Sequence, residues 1–141
     1  MRSILVGVDR SDASRRAVDY AAQEARDSDC ALKVVHVINW SRYSFTTNED
    51  NASRPLERQR EITTAQREVI DPLIKGIEGV DVTSDIRFGK PSEVLADVAK
   101  EEGHNLVFVA RTGDSGLREA IFGSTASRLV QHAAVPVVVV P

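Results

Sequence analysis

Leu106-Val107-Phe108-Val109-Ala110 runs directly into Arg111-Thr112-Gly113. An unbroken apolar run of this kind predicts a strand covered on both faces, because a strand wetted on one face would alternate with polar residues. Ile4-Leu5-Val6 and Val137-Val138-Val139-Val140 have the same character. Such strands belong to parallel sheets layered between helices, so helical segments are expected between them.

The hydrophobic pattern supplies those helices. Strands are predicted over Ser3–Val8, Leu32–Ile38, Val80–Phe88, Leu106–Ala110 and Pro136–Val140. The third alternates (Val80, Val82, Ile86, Phe88) and is placed nearer an edge. Ala17, Val18, Ala21, Ala22 and Ala25 share one helix face, with Ser11 where an N-cap belongs. A second, polar helix is expected from about Leu56 to Gly76, kinked or restarted at Pro72. A third carries Val94, Leu95, Val98 and Ala99 on one face, with Pro91 in its first turn and Gly103 past its end. A fourth carries Ala126, Leu129, Val130 and Ala133, preceded by a short helical turn over Leu117–Phe122. Ser41–Arg54 is expected to be a long loop. Strict alternation of strand and helix predicts an α/β, Rossmann-like domain spanning residues 1–141. Its open five-stranded parallel sheet has order 3-2-1-4-5, with two helices on each face.

Composition excludes several classes. A formal net charge of −3 and 5% aromatic residues give neither a basic footprint for nucleic acid nor a stacking platform. The longest apolar run, Ala133–Pro141, is far below the ~20 residues of a membrane span. The apolar run before Asp9 is too short for a signal segment, and a cytoplasmic location is expected. A single cysteine, Cys30, allows no internal disulfide and reads as a small buried hydrophobe. His36, His104 and His132 are scattered, and no metal cluster is expected. His36 is expected to pack at the end of the sheet.

In an open α/β sheet, ligands bind beyond the carboxyl ends of the strands, where strand order reverses. Gly7, Val8, Asp9, Arg10 and Ser11 end the first strand, and His36-Val37-Ile38-Asn39 end the second. After the fourth come Ala110, Arg111, Thr112, Gly113 and Gly116, then Gly123, Ser124 and Thr125 at a helix start. Glycines that admit close backbone approach, beside a helix N-terminus, suit a phosphate chain. The same residues also fit plain turns, with Gly123 ending the short helix and Ser124 as an N-cap, and spacing alone leaves both readings open. A response-regulator receiver fails on the third and fifth strand ends, Arg87-Phe88-Gly89 and Val140-Pro141. A flavodoxin lacks its Ser/Thr loop here, and neither a P-loop nor a nucleotidyl-transfer signature is present.

The whole chain resembles the universal stress protein family. That family's nucleotide motif is Gly, two residues, Gly, nine residues, Gly, then Ser or Thr. Gly113, Gly123 and Ser124 match it in identity and spacing, while Ala110 stands at its first glycine. Gly116-Leu117 looks like the family's usual continuation. Ile4-Leu5-Val6-Gly7-Val8-Asp9-Arg10-Ser11, His36-Val37, Gly89-Lys90-Pro91 and the closing valine run are further points of similarity. The resemblance implies an adenine nucleotide, ATP or AMP, with Mg as an optional companion of the phosphates. Adenine would lie against Asp9 and the Val37 backbone. Ribose and phosphates would follow Gly7 and Val8, then Ala110, Arg111 and Gly113, then Gly123, Ser124 and Thr125. The implied role is regulatory, in stress response. A slow ATP hydrolase and a dimeric protein without nucleotide stay open as alternatives.

Strand five is the edge in the 3-2-1-4-5 order and ends the sequence at Pro141. Val137, Val138, Val139 and Val140 are β-branched and uncharged, an aggregation hazard if left open. A homodimer pairing this strand with its own copy is expected, and the family resemblance implies the same.

Overall fold

The computed structural model describes residues 2–39, 48–113 and 123–141, without the side chains of 48–54. β1 is Ser3–Val8, α1 Ala13–Asp27, β2 Ala31–Asn39, α2 Asn48–Ala65, α3 Asp71–Ile74, β3 Val82–Gly89, α4 Pro91–Glu101, β4 Leu106–Ala110, α5 Ser124–His132 and β5 Val137–Val140. A π-helical turn, Gln66–Ile70, joins α2 to α3. The sheet order is β3-β2-β1-β4-β5, every pair parallel.

The apolar runs are continuous because each face of the sheet has its own core. Ile4, Val6, Leu32, Val34 and Phe108 pack against Ala17, Val18, Ala21 and Ala25 of α1 and against Val69, Ile70 and Leu73. Leu5, Val35, Val107 and Val109 point the other way, into Leu95, Val98 and Ala99 of α4 and Ala126 and Leu129 of α5. Neighbouring residues on a strand face opposite sides, so burial on both sides demands apolar residues at every position. Cys30 is buried within the first of these cores.

Two local expectations are corrected. Ser11 is not the N-cap of α1: the helix begins at Ala13 after Asp12, and the Ser11 hydroxyl donates to Asp9 instead. The expected loop over Ser41–Arg54 is shorter, since α2 starts at Asn48; residues 48–54 contain no Gly or Pro, and polarity alone does not break a helix. Residues 41–47, Gly116 and the turn Leu117–Phe122 lie outside the described residues. The second helix restarts at Pro72 as expected, with the proline in the first turn of α3 after the π turn. Proline's ring would clash with the carbonyl four residues back, and the π turn makes room, with the Asp71 N–H donating to Gln66 five residues earlier.

Away from the carboxyl ends of the strands, a charged cluster ties β2 and β3 to the end of α4. Lys33 Nζ is 2.7 Å and Arg87 Nη2 3.2 Å from the Glu102 carboxylate, and His104 Nε2 is 3.2 Å from it. The Lys33 hydrogen bond, ahead of the His104 one, holds the Glu102 carboxyl below its ordinary 4.5 despite partial burial. A carboxyl depressed on folding stabilises the fold above its unfolded value and loses that contribution as pH falls through its folded value. Glu102→Gln is therefore expected to melt below wild type near neutrality, by up to about 1 kcal/mol. The two melting curves should converge on acidification below 4.5. A gap unchanged across that range would show that Glu102 acts by packing alone.

Candidate functional site

A cleft of about 440 Å³ opens beyond the carboxyl ends of β1, β2 and β4. That volume lies in the range of small-molecule sites. Gly7, Val8, Asp9, Val37, Ala110, Arg111, Gly113, Gly123, Ser124 and Thr125 all lie on its walls. The structure thus brings these residues together from both sides of the switch point between β1 and β4.

The first wall is set by Asp9. Its Oδ1 accepts from the Ser11 N–H at 2.9 Å, from the Ser14 hydroxyl at 2.9 Å and from the Ser11 hydroxyl. The Asp9 N–H donates to Ser14 Oγ at 2.8 Å, and Ser14 is 1% exposed. The carboxylate is thereby fixed in one orientation. Arg10 also lines the cleft but is ion-paired with Glu68 of the π turn at 2.9 Å.

The second wall is β2. Its register with β1 ends at the Val8–His36 pair, while β2 continues through Val37, Ile38 and Asn39, still paired with β3 on its other side. This projecting end faces the cleft because the chain of β1 turns away at Asp9 toward α1.

The third wall joins β4 to α5. The Arg111 N–H donates to Val140 O at 2.7 Å, and the Gly123 N–H donates to Arg111 O at 2.7 Å. α5 therefore starts hooked to the end of β4. Gly123 is its N-cap in extended conformation, so Ser124 is the first helical residue and not the cap. Ser124, Thr125 and Ala126 form the first turn of α5, whose N–H groups a helix itself leaves without acceptors, and all three residues line the cleft. Arg111 Nε is buried, with no hydrogen-bond partner among the described residues. A helix N-terminus beside a half-buried Arg111 favours an anionic ligand.

Two details change the reading of the glycines. Ala110 is the last residue of β4, paired with Val140, and Asp29 is the only described non-glycine residue with positive φ. The Ala110 methyl thus costs no backbone strain. Gly113 and Gly123 are not left-handed either. Gly113 is needed for space: a Cβ there would overlap Asp9 Oδ2. Sequence reasoning missed Ser14 as the anchor of Asp9 and missed the lining role of Pro91 and Leu95. The Asp9, Ser11, Ser14 spacing was the available signal for the first. Among the described residues no group of His, Cys, Asp or Glu could hold a metal, and no helix is long and apolar enough to cross a membrane.

A parallel sheet in this order, with a helix N-terminus facing its switch point, defines a Rossmann-like α/β protein. The chain belongs to the universal stress protein family, whose match extends over residues 1–141. A universal stress protein of Mycolicibacterium smegmatis is 33% identical over 97% of this chain, which spans 47% of that relative's length. The universal stress protein YxiE of Bacillus subtilis is 28% identical, with 97% of each chain covered. Among solved structures, a universal stress protein in complex with cAMP is 26% identical with a TM-score of 0.71, covering 99% of this chain and 97% of that one.

Proposed function

We propose that this protein binds an adenine nucleotide in the cleft and acts as a regulator, the nucleotide being signal rather than substrate. The observation that carries the reading is the convergence on one cleft of the α5 N-terminus and Arg111, whose Nε has no hydrogen-bond partner among the described residues. Opposite them stands the projecting end of β2 at Val37. The complex of a 26% identical relative with cAMP supports it. Adenine would lie between Asp9 and Val37, with ribose and phosphates along Ala110–Gly113 and Gly123–Thr125. A Mg ion would be carried by the phosphates. The reading includes a cytoplasmic homodimer paired through β5 and a part in stress response.

Calorimetric titration with AMP, ATP and cAMP tests the reading, alongside a search for nucleotide released when the purified protein is denatured. No binding and no released nucleotide would leave the dimer without nucleotide as the reading. Steady-state phosphate release from ATP would make the protein a hydrolase instead. Gly123 supplies a sharper test. A Cβ there would lie 3.4 Å from Arg111 O, 3.5 Å from Thr112 Cα and 3.6 Å from Gly113 N. Alanine fits that space, but the branches of valine would press on the backbone and displace the helix N-terminus. Gly123→Val should weaken binding tenfold or more, about 1.4 kcal/mol. Gly123→Ala should stay close to wild type, and equal losses in the two variants would contradict this packing account.

A further inference from the structure

β3 is the second edge of the sheet. The Leu32 N–H donates to Asp81 O at 2.9 Å, and backbone direction alternates along β3 from there. Thr83, Asp85 and Arg87 therefore bond to β2, while Val82, Ser84 and Ile86 turn their N–H and C=O outward. An outward row of this kind is a template for another strand. Its centre is already occupied. The Ile86 N–H donates to Oδ1 of Asp85, one residue earlier, at 2.9 Å. Asp85 Oδ2 lies 2.7 Å from Arg87 Nε, and Arg87 Nη2 is in turn 3.2 Å from Glu102 just past α4. Lys33 Nζ of β2 stands 3.9 Å from the same Oδ2. The carboxylate is thus braced over the edge from its own strand and from its neighbour.

A partner strand would place a carbonyl oxygen at hydrogen-bond distance from each outward amide nitrogen, and Asp85 Oδ1 already holds that position at Ile86. An incoming carbonyl would meet a carboxylate oxygen with no hydrogen between them. β5 has no such device, being four valines without a charge. We infer that Asp85 guards the β3 edge and so confines strand-to-strand association of this protein to β5. With both edges open, β3 of one copy could pair with β5 of the next, a head-to-tail contact that grows into rings or filaments. One open edge permits only a closed pair. The inference complements the β5 dimer proposed above but stands on β3 alone.

Sedimentation at graded concentration reads the guard. Asp85→Ala removes the acceptor and should self-associate at least about tenfold more tightly than wild type, because pairing no longer has to displace a charge-assisted hydrogen bond. Asp85→Asn loses the same charge but keeps an oxygen for the Ile86 N–H, and should stay at the wild-type level. Ser84→Pro deletes the neighbouring outward donor and spares the ladder with β2, so adding it to Asp85→Ala should abolish the gain. Val139→Pro added to each variant takes β5 out of use and leaves β3 as the edge being measured. Asp85→Val, a strong strand former with no acceptor, carries the comparison should the alanine variant unfold. A folded Asp85→Ala or Asp85→Val variant no more associated than wild type overturns the inference. So does a gain that survives Ser84→Pro or is equalled by Asp85→Asn. A wild type that stays monomeric throughout overturns the β5 dimer but not the guard, because the variants are compared at β3.

Discussion

Gly113→Ala is expected to lower thermal stability and to remove tight nucleotide binding together. The added Cβ would overlap Asp9 Oδ2. A flexible neighbour would step aside, but Asp9 is not flexible. Its other oxygen is held by the Ser11 N–H, the Ser11 hydroxyl and the buried Ser14 hydroxyl, and its own N–H is held by Ser14. The loop from Arg111 to Gly113 must move instead. That loop carries the 2.7 Å bond from the Gly123 N–H to Arg111 O, which aims α5 at the cleft. Overpacking of this kind costs about 1–3 kcal/mol of stability. Displacing both phosphate-facing walls should weaken AMP at least thirtyfold, about 2 kcal/mol. Thermal melts and calorimetry read the two effects separately. Asp9→Ala on the same chain removes the obstacle, so the double variant should recover part of the stability lost by Gly113→Ala but none of the binding. Strictly additive stability losses would mean that the two residues do not meet.

The strands were legible because burial on both faces leaves no polar position in Leu5, Val6, Val107 or Val109. Parallel pairing followed from strict alternation with helices. Helix ends were less legible, since a hydroxyl near a helix start has more than one use. Ser11 spends its hydroxyl on Asp9, a choice set by the tertiary position of that carboxylate. The site residues were readable as a set because they follow strand ends, but the reason for each glycine was not. Gly113 faces a side chain from the other wall of the cleft, and nothing near it in sequence announces Asp9. Ala110 shows the converse. Its departure from the family motif stands out in the sequence, yet the residue sits in ordinary extended backbone at the end of β4. The hydrogen bond from His36 Nδ1 to the Val8 carbonyl was hidden for the same reason as Gly113, because Val8 is on another strand.

Val139→Pro is expected to dissociate a homodimer built on β5 while leaving each protomer folded. β5 is an edge strand. The Val107 N–H donates to Pro136 O at 3.0 Å and the Arg111 N–H to Val140 O at 2.7 Å, so positions 136, 138 and 140 turn their backbone toward β4. Backbone direction alternates along a strand, which leaves the N–H and C=O of Val137 and Val139 facing outward. A two-fold axis at Val138 would oppose Val137 of one copy with Val139 of the other and let them exchange hydrogen bonds. Tyr20 of α1 and Val130 of α5 are exposed by 62% and 53%, large apolar surface on the helices of the two faces. Lysine at Val138 is the obvious disruption but an ambiguous one, because that side chain packs against the first core and a charge there would unfold the protomer too. Proline at Val139 removes only an outward donor and spares the ladder with β4. Symmetry removes two donors and orphans two carbonyls, each worth about 1–3 kcal/mol. The dimer dissociation constant should therefore rise roughly thirtyfold or more. Sedimentation at graded concentration measures this, and AMP titration confirms that the variant remains folded. A wild-type monomer at micromolar concentration, or a Val139→Pro variant as dimeric as wild type, would remove β5 as the interface.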